Sequence, residues 1–385
     1  MRESVLEIFN HLSTFEWGVF AFFLAIAVLR MVYLILFSGR VAFLKTPPAS
    51  APEPVSLLLA FRNEEANLRK NLPTLLSLGN NDYEVVAVDD FSTDASLTVL
   101  GTLKRQDLKM HVSSMSQETH FSEKMARNIA IKAAVNEWLL FLTPTVSSFA
   151  PGWLSNVESV LNDDADVAVG YSNLKPNGKF VSLLFRVELF FQQLKSFGFI
   201  LNGLPFVVAE ENVAFKKQKY FEANGYHNKI SESFAHLELL INSFMQKKTT
   251  LLLSKGEFAC WEEKKVSFEA FFDLLKKEIR LKRFLSGNKR FMLFFTNCIE
   301  LLFFPVAALL FVFVPALWPL IASVLGLVFI FRLFIIKRIL FRLNERKLFL
   351  PSLLLALLRP YFKLVFVLWY RNTERKGNGR TKFIR

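Results

Sequence analysis

Three hydrophobic patterns alternate along the chain. The first is a long, unbroken apolar run. Residues 17–37, WGVFAFFLAIAVLRMVYLILF, are long enough to cross a bilayer at about 1.5 Å per helical residue. Similar runs return at 291–313 and 320–336, and an interrupted one lies at 348–370. The second pattern is a short all-apolar run, as expected of parallel strands covered on both faces: 55–60, 83–88, 138–142 and 167–170. The third is helical spacing. Leu68, Leu72, Leu75 and Leu76 share one face between the first two strands, and Phe268, Phe271, Phe272, Leu275 and Ile279 share another further on. A strand, a helix and a second strand make a right-handed crossover in an α/β fold. Ligands in such sheets bind beyond the carboxyl ends of the strands. Asn63, Glu64, Asp89, Asp90, Ser92 and Asp94 therefore fall on one rim, with Asn63 the expected N-cap of the first helix.

These patterns divide the chain. Residues 1–46 hold an uncleaved anchor at 17–37, whose Arg30 is expected to snorkel towards Arg40 and Lys45. Residues 47–54 form a Pro-rich linker, 55–265 the α/β domain, and 266–290 an amphipathic helix lying on the membrane. Residues 291–370 form a membrane region with two spans, in which Asn297 and Glu300 stand inside the first; an intramembrane acid is a functional candidate. Arg359-Pro360 and Lys363 interrupt 348–370, which predicts a re-entrant or interfacial helix pair. Residues 371–385 form a basic tail, placed with the α/β domain in the cytoplasm of a cell membrane by the positive-inside rule.

Composition fits this division. Of 385 residues 52% are hydrophobic, 43 are Phe, and the net charge is +13, which suits a protein in contact with a lipid bilayer better than a nucleic-acid binder, for which no motif is present. Two cysteines, Cys260 and Cys298, match no zinc spacing and no disulfide framework. No G-x-G-x-x-G or P-loop glycine pattern occurs.

The turn Ala60-Phe61-Arg62-Asn63-Glu64-Glu65 and the loop Val88-Asp89-Asp90-Phe91-Ser92-Thr93-Asp94 together resemble the P-x-x-N-E and V-D-D-x-S-x-D elements of family-two membrane-bound glycosyltransferases. The resemblance spans about 55–290 by motif. It implies a GT-A-like, Rossmann-like nucleotide-sugar-binding domain flanked by transmembrane helices. It also implies that Asp89, Asp90 and the turn at Asn63 and Glu64 hold the base and ribose of a UDP- or GDP-sugar, with Asp94 in the same loop. Ala126-Arg127-Asn128, preceded by Lys124, matches a segment beside the diphosphate.

Departures follow. After the strand at 138–142 the family carries a D-x-D motif that binds Mg²⁺ or Mn²⁺. This chain has Thr143-Pro144-Thr145, so no metal ligand is expected there. A literal Asp164-Ala165-Asp166 precedes a strand and is expected to be a solvated loop. Residues 180–208 correspond to the acceptor side, where the family leans on the membrane. Asn212, Ala214 and Phe215 match a G-x-N-x-A-Y/F element, with Glu210 or Glu211 where glycine is usual. The family's catalytic acids align with His236-Leu237-Glu238, which makes Glu238 and His236 the candidate bases. Arg283 alone survives of a Q-x-x-R-W motif and is a candidate partner of the diphosphate. Two functions are compatible with this pattern. One is a metal-independent transferase moving a sugar to a lipid-linked or envelope acceptor. The other is a catalytically inactive relative serving as partner or scaffold of other envelope-glycan enzymes.

Overall fold

The computed structural model describes residues 13–79, 83–119, 123–226, 229, 232, 234 and 236–381, with 374–381 described by backbone alone. The acids Glu3 and Glu7, residue Ser122 and most of the basic tail lie outside the described side chains. The chain forms two compact units, one of 43–285 with 342–344, the other of 1–42, 286–341 and 345–385.

The first unit is α/β. A seven-stranded sheet runs in the order β3-β2-β1-β4-β8-β6-β9, where the strands are β1 (Val55–Phe61), β2 (Glu84–Asp89), β3 (Met110–Ser114), β4 (Trp138–Phe141), β6 (Val167–Gly170), β8 (Val213–Lys216) and β9 (Thr250–Leu253). β1, β2, β3 and β4 are mutually parallel, and β8 runs antiparallel to β4 and β6. Every residue of β1 and β2 is buried. Alternation assigns the two faces: Val55, Leu57, Leu59 and Phe61 join the core with Leu68, Leu72 and Leu75 of α2 (Glu65–Leu76) and Val99 and Leu100 of α3 (Ser96–Gln106). Helix α4 (Lys124–Ala133) also packs on β1 and β2, burying Ala126, Ala130 and Ile131.

A three-stranded sheet, order β5-β10-β7, adds β5 (Val146–Phe149), β7 (Ser172–Leu174) and β10 (Cys260–Glu262). The aromatic-rich stretch becomes α6 (Phe180–Leu201), which is buried from Phe185 to Ile200 and so serves as a core helix of this unit. The amphipathic segment is α9 (Phe268–Leu281), which packs on α6 and buries Phe271, Leu275, Glu278 and Leu281. Phe271 and Leu275 of its apolar face are thus covered by protein, while Phe268 stays exposed. The remaining helices of this unit are α5 (Trp153–Glu158), α7 (Lys217–Glu222) and α8 (Leu237–Phe244).

Among the described residues, the second unit contains four helical segments long and apolar enough to cross a membrane: Thr14–Ala42, Gly287–Phe313, Pro315–Arg342 and Arg346–Thr373. The first contains α1 (Thr14–Tyr33), started by a capping box between Ser13 and Glu16 and continued through a π turn at Leu34–Gly39. The others are α10 (Gly287–Phe313), α11 (Trp318–Arg342) and α12 (Phe349–Thr381). Two expectations change here. Arg30 does not snorkel: it is 4% exposed and its guanidinium lies 4.4 Å from the Phe303 ring, a cation–π contact. The expected break at Arg359-Pro360 is absent, since α12 runs through Pro360 as one helix. The positive-inside rule places the tail with the α/β domain only if 348–370 does not cross once.

Candidate active site

The rim is built by two turns that lace together. Asn63 leaves β1 with a φ of 55°, a left-handed conformation that asparagine tolerates. Its side-chain oxygen accepts the Thr93 N–H at 2.8 Å, and its own N–H donates to Ser92 Oγ at 2.8 Å. The Glu64 N–H donates to Ser96 Oγ at 3.0 Å, and the Glu65 N–H to Asp94 Oδ2 at 3.1 Å. The Glu64 carboxylate accepts from Asn67 Nδ2 at 2.6 Å. Asn63 therefore does not cap α2, whose N-cap is Glu64; it ties the two loops, as do Asp94 and Ser92.

That leaves Asp89 and Asp90 as the carboxylates set at the strand end. They are 3% and 6% exposed. Asp89 Oδ2 accepts the Ser92 N–H at 3.1 Å, while its buried Oδ1 has no hydrogen-bond partner among the described residues. Burial pushes the Asp90 carboxyl up, with Arg62 opposing and Asp89 and Glu118 adding to the rise. An unpartnered acceptor this well buried is costly without a ligand donor.

Behind the rim lies a network of buried charges. Arg127 on α4 is 3% exposed and donates to Glu210 at 2.7 Å and to Glu123 at 3.0 Å. Burial alone would raise the Glu210 carboxyl, but Arg127, Lys277 and His236 hold it well below the usual range. The Lys124 ammonium is buried and donates to the Glu232 carbonyl; burial and then Arg127 lower its pKa. Asn128 accepts the Tyr220 hydroxyl at 2.6 Å, which makes it an anchor between α4 and α7. Arg283 lies exposed on the turn Lys282–Phe284.

Glu238 is 0% exposed, forms an ion pair with Lys277 of α9, and accepts the His236 N–H at 3.2 Å. Burial, together with the charges of Arg127, Lys277 and Lys124, pushes His236 down to about 3, so its imidazole is neutral at pH 7. Glu238 is thus committed to Lys277, whereas the ring Nδ1 of His236 is buried with no hydrogen-bond partner among the described residues.

Thr143-Pro144-Thr145 occupies the turn after β4. Asn71 of α2 donates to the Pro144 carbonyl at 2.8 Å and fixes it. The Thr143 and Thr145 hydroxyls are 2.8 Å apart, and Thr145 donates to Glu262 at 2.9 Å. The small sheet sets this pairing, because β10 brings Glu262 opposite Val146. Lys264 Nζ then donates to the same Glu262 oxygen at 2.7 Å. These residues do not fit a divalent metal. The one carboxylate oxygen facing the hydroxyls is taken by an ammonium and a hydroxyl, and no group of three or more His, Cys, Asp or Glu suited to a metal occurs among the described residues. Asp164 is exposed, whereas Asp166 is 17% exposed and faces Lys219 at 3.6 Å, so the literal D-x-D is only in part the solvated loop expected.

Glu211 is half-buried beside Glu210. Burial, then the Glu262 and Glu210 charges, push its carboxyl up to about 8. Asn212, with a φ of 60°, turns inward and donates to the Tyr171 and Phe258 carbonyls at 2.8 and 2.7 Å. Sequence reasoning missed Glu262, Lys264 and Lys277. The first two stand in a charge-rich stretch, Glu262-Glu263-Lys264-Lys265, that reads as solvated, and Lys277 stands on the polar face of an amphipathic helix.

Residues 56–195 match the family model described as glycosyl transferase family 2. This stretch is thus similar to a family-two glycosyl transferase domain. The chain's fold is also that of a mannosyltransferase from Pyrobaculum calidifontis, PcManGT, solved in complex with GDP-Man and Mn²⁺. The two share 14% identity with a TM-score of 0.53, over 88% of this chain and 99% of that one. The S. aureus TarS fragment 1–349 in complex with UDP-GlcNAc is more distant, at 17% identity and a TM-score of 0.43, over 83% of this chain and 92% of that one. No curated protein sequence matches the chain. The domain match and the shared fold support a glycosyltransferase.

Proposed function

We propose that this protein is a membrane-bound glycosyltransferase that moves a sugar from a UDP- or GDP-sugar to a lipid-linked or cell-envelope glycan acceptor, with a lysine in place of the divalent metal. The observation that carries the reading is the Asp89–Asp90 pair, buried at the carboxyl end of a parallel strand with one carboxylate oxygen unpartnered. That oxygen suits a donor group of the base or ribose. Basic residues beside the spans, Arg40 and Lys45 and later Lys337, Arg338, Arg342, Arg346 and Lys347, favour a cytoplasmic α/β unit, where nucleotide sugars are made available.

The chemistry is one displacement. The acceptor oxygen attacks the anomeric carbon, the bond to the diphosphate oxygen breaks, and the nucleoside diphosphate leaves with the electron pair. Lys264, held by Glu262 beside Thr145, supplies positive charge to that leaving group, and Lys277 adds to the same field. Burial disfavours the charged Lys264, but Glu262 and Glu211 outweigh it and keep the ammonium charged. Glu211 takes the acceptor's proton. Neighbouring Glu210 and Glu211 are pushed in opposite directions, the pattern by which a protein separates an ionised carboxylate from a proton-transfer group. Glu238 positions Lys277 in this scheme.

The test is transfer by the purified full chain across UDP- and GDP-sugars, with Mn²⁺ or with EDTA. Turnover should survive EDTA, fall at least about 100-fold in Lys264→Met, and not return with Mn²⁺. Nucleotide binding should weaken in Asp90→Asn. Turnover that requires Mn²⁺ would refute the lysine assignment. Nucleotide binding without turnover under any condition would favour the non-catalytic relative.

A further inference from the structure

Among the described residues, every left-handed backbone position is a glycine or an asparagine except one, Phe91, with a φ of 56°. Glycine adopts that conformation freely and asparagine tolerates it, but a bulky side chain strains it. Phe91 lies in the loop between β2 and α3, directly after Asp89 and Asp90. Bonds on either side hold it there. The Asp90 N–H donates to the Phe61 carbonyl at 2.8 Å, the Ser92 N–H to Asp89 Oδ2 at 3.1 Å, and the Asn63 N–H to Ser92 Oγ at 2.8 Å. Strained positions held by their surroundings cluster at ligand sites. Ring contacts do not offset the strain here. Phe91 is 37% exposed, and its ring meets no other aromatic ring and no cation among the described residues. The loop therefore holds a fixed aromatic side chain open to solvent on the rim.

We propose that Phe91 is the platform on which the base of the donor nucleotide stacks, an inference that rests on the nucleotide-sugar reading above. Uracil and guanine each offer a π-face and an edge that carries N–H groups. The loop presents the complement of both. Phe91 supplies the face, and Asp89, 3% exposed with Oδ1 unpartnered among the described residues, supplies a buried acceptor two residues away. Stacking tolerates any base, because each has a π-face. Phe91 thus adds affinity for UDP and GDP alike and leaves the choice between them to polar groups at the base edge. A lipid or an apolar partner fits this ring less well. Thr93 and Asp94 follow it in the same loop and are exposed, and a carboxylate drawn into an apolar contact loses its water at a cost. Phe91 is a binding residue only, since the displacement at the sugar makes no use of it.

The test is titration of the purified full chain with UDP, GDP and inorganic pyrophosphate. Phe91→Leu keeps an apolar side chain and the left-handed backbone but lacks the π-face. It should bind UDP and GDP roughly tenfold more weakly than wild type. Phe91→Tyr, which keeps the ring, should bind both as wild type does. Pyrophosphate, which has no base, should bind wild type and Phe91→Leu alike. Equal affinity of wild type and Phe91→Leu for both nucleotides would overturn the stack and leave the nucleotide-sugar reading standing. An equal weakening of pyrophosphate would overturn it too, because the base would then not be what Phe91 holds. Binding of neither nucleotide by wild type would overturn the stack and that reading together. Should Phe91→Leu fail to fold, Phe91→Trp decides. Its emission in excess of wild type should be quenched by UDP and GDP and not by pyrophosphate, and unchanged emission with nucleotide bound would refute the stack.

Discussion

Replacing Glu211 with glutamine should make the fold more stable and the enzyme inactive, and the two effects follow from one half-buried carboxyl. In the unfolded chain a glutamate titrates near 4.5, whereas burial, Glu262 and Glu210 push Glu211 up to about 8 in the fold. Between those values the folded protein holds a proton that the unfolded chain releases. Stability is therefore intact below pH 4.5 and is lost as pH rises towards 8. At about 1.4 kcal/mol per pH unit, the penalty reaches about 3 kcal/mol at pH 7. Glutamine keeps the shape and cannot ionise. Glu211→Gln should thus gain on the order of 3 kcal/mol near pH 7 and almost nothing near pH 4.5. Denaturant unfolding at the two pH values measures the difference. In parallel, kcat/KM of the wild type should climb with pH and level off above about pH 8, as Glu211 becomes the carboxylate that accepts the proton. The variant should lose about 100-fold or more in turnover. An equal stability change at both pH values would refute the assigned ionisation, and unchanged turnover would refute the assigned base.

Two further predictions concern the frame of the site. Lys277→Met should destabilise the protein by about 3–5 kcal/mol, because it strands the fully buried Glu238 carboxylate, and adding Glu238→Leu should recover most of that loss in thermal melts. Gly170→Ala should cost about 1–3 kcal/mol: its new methyl would come 2.5 Å from the Asn212 amide, which cannot move without releasing the Tyr171 and Phe258 carbonyls, and circular dichroism melts would read the change.

The sequence by itself determined the frame. The apolar strands, the helix between them and the rim at Asn63, Asp89, Asp90 and Asp94 were legible because burial on two faces and the helical repeat each leave a local periodic mark. The apolar runs that become candidate spans were legible for the same reason. What only tertiary structure decided was which polar groups meet. Glu262 and Lys264 reach Thr145 through pairing of β10 with β5, more than a hundred residues away, and Lys277 reaches Glu238 through the packing of α9. A charge on an amphipathic helix or in a charged run carries no local sign of being buried, since its partner's position depends on the whole fold. Asn63 and Asn128 likewise matched binding motifs by residue type, yet their side chains tie loops and helices together.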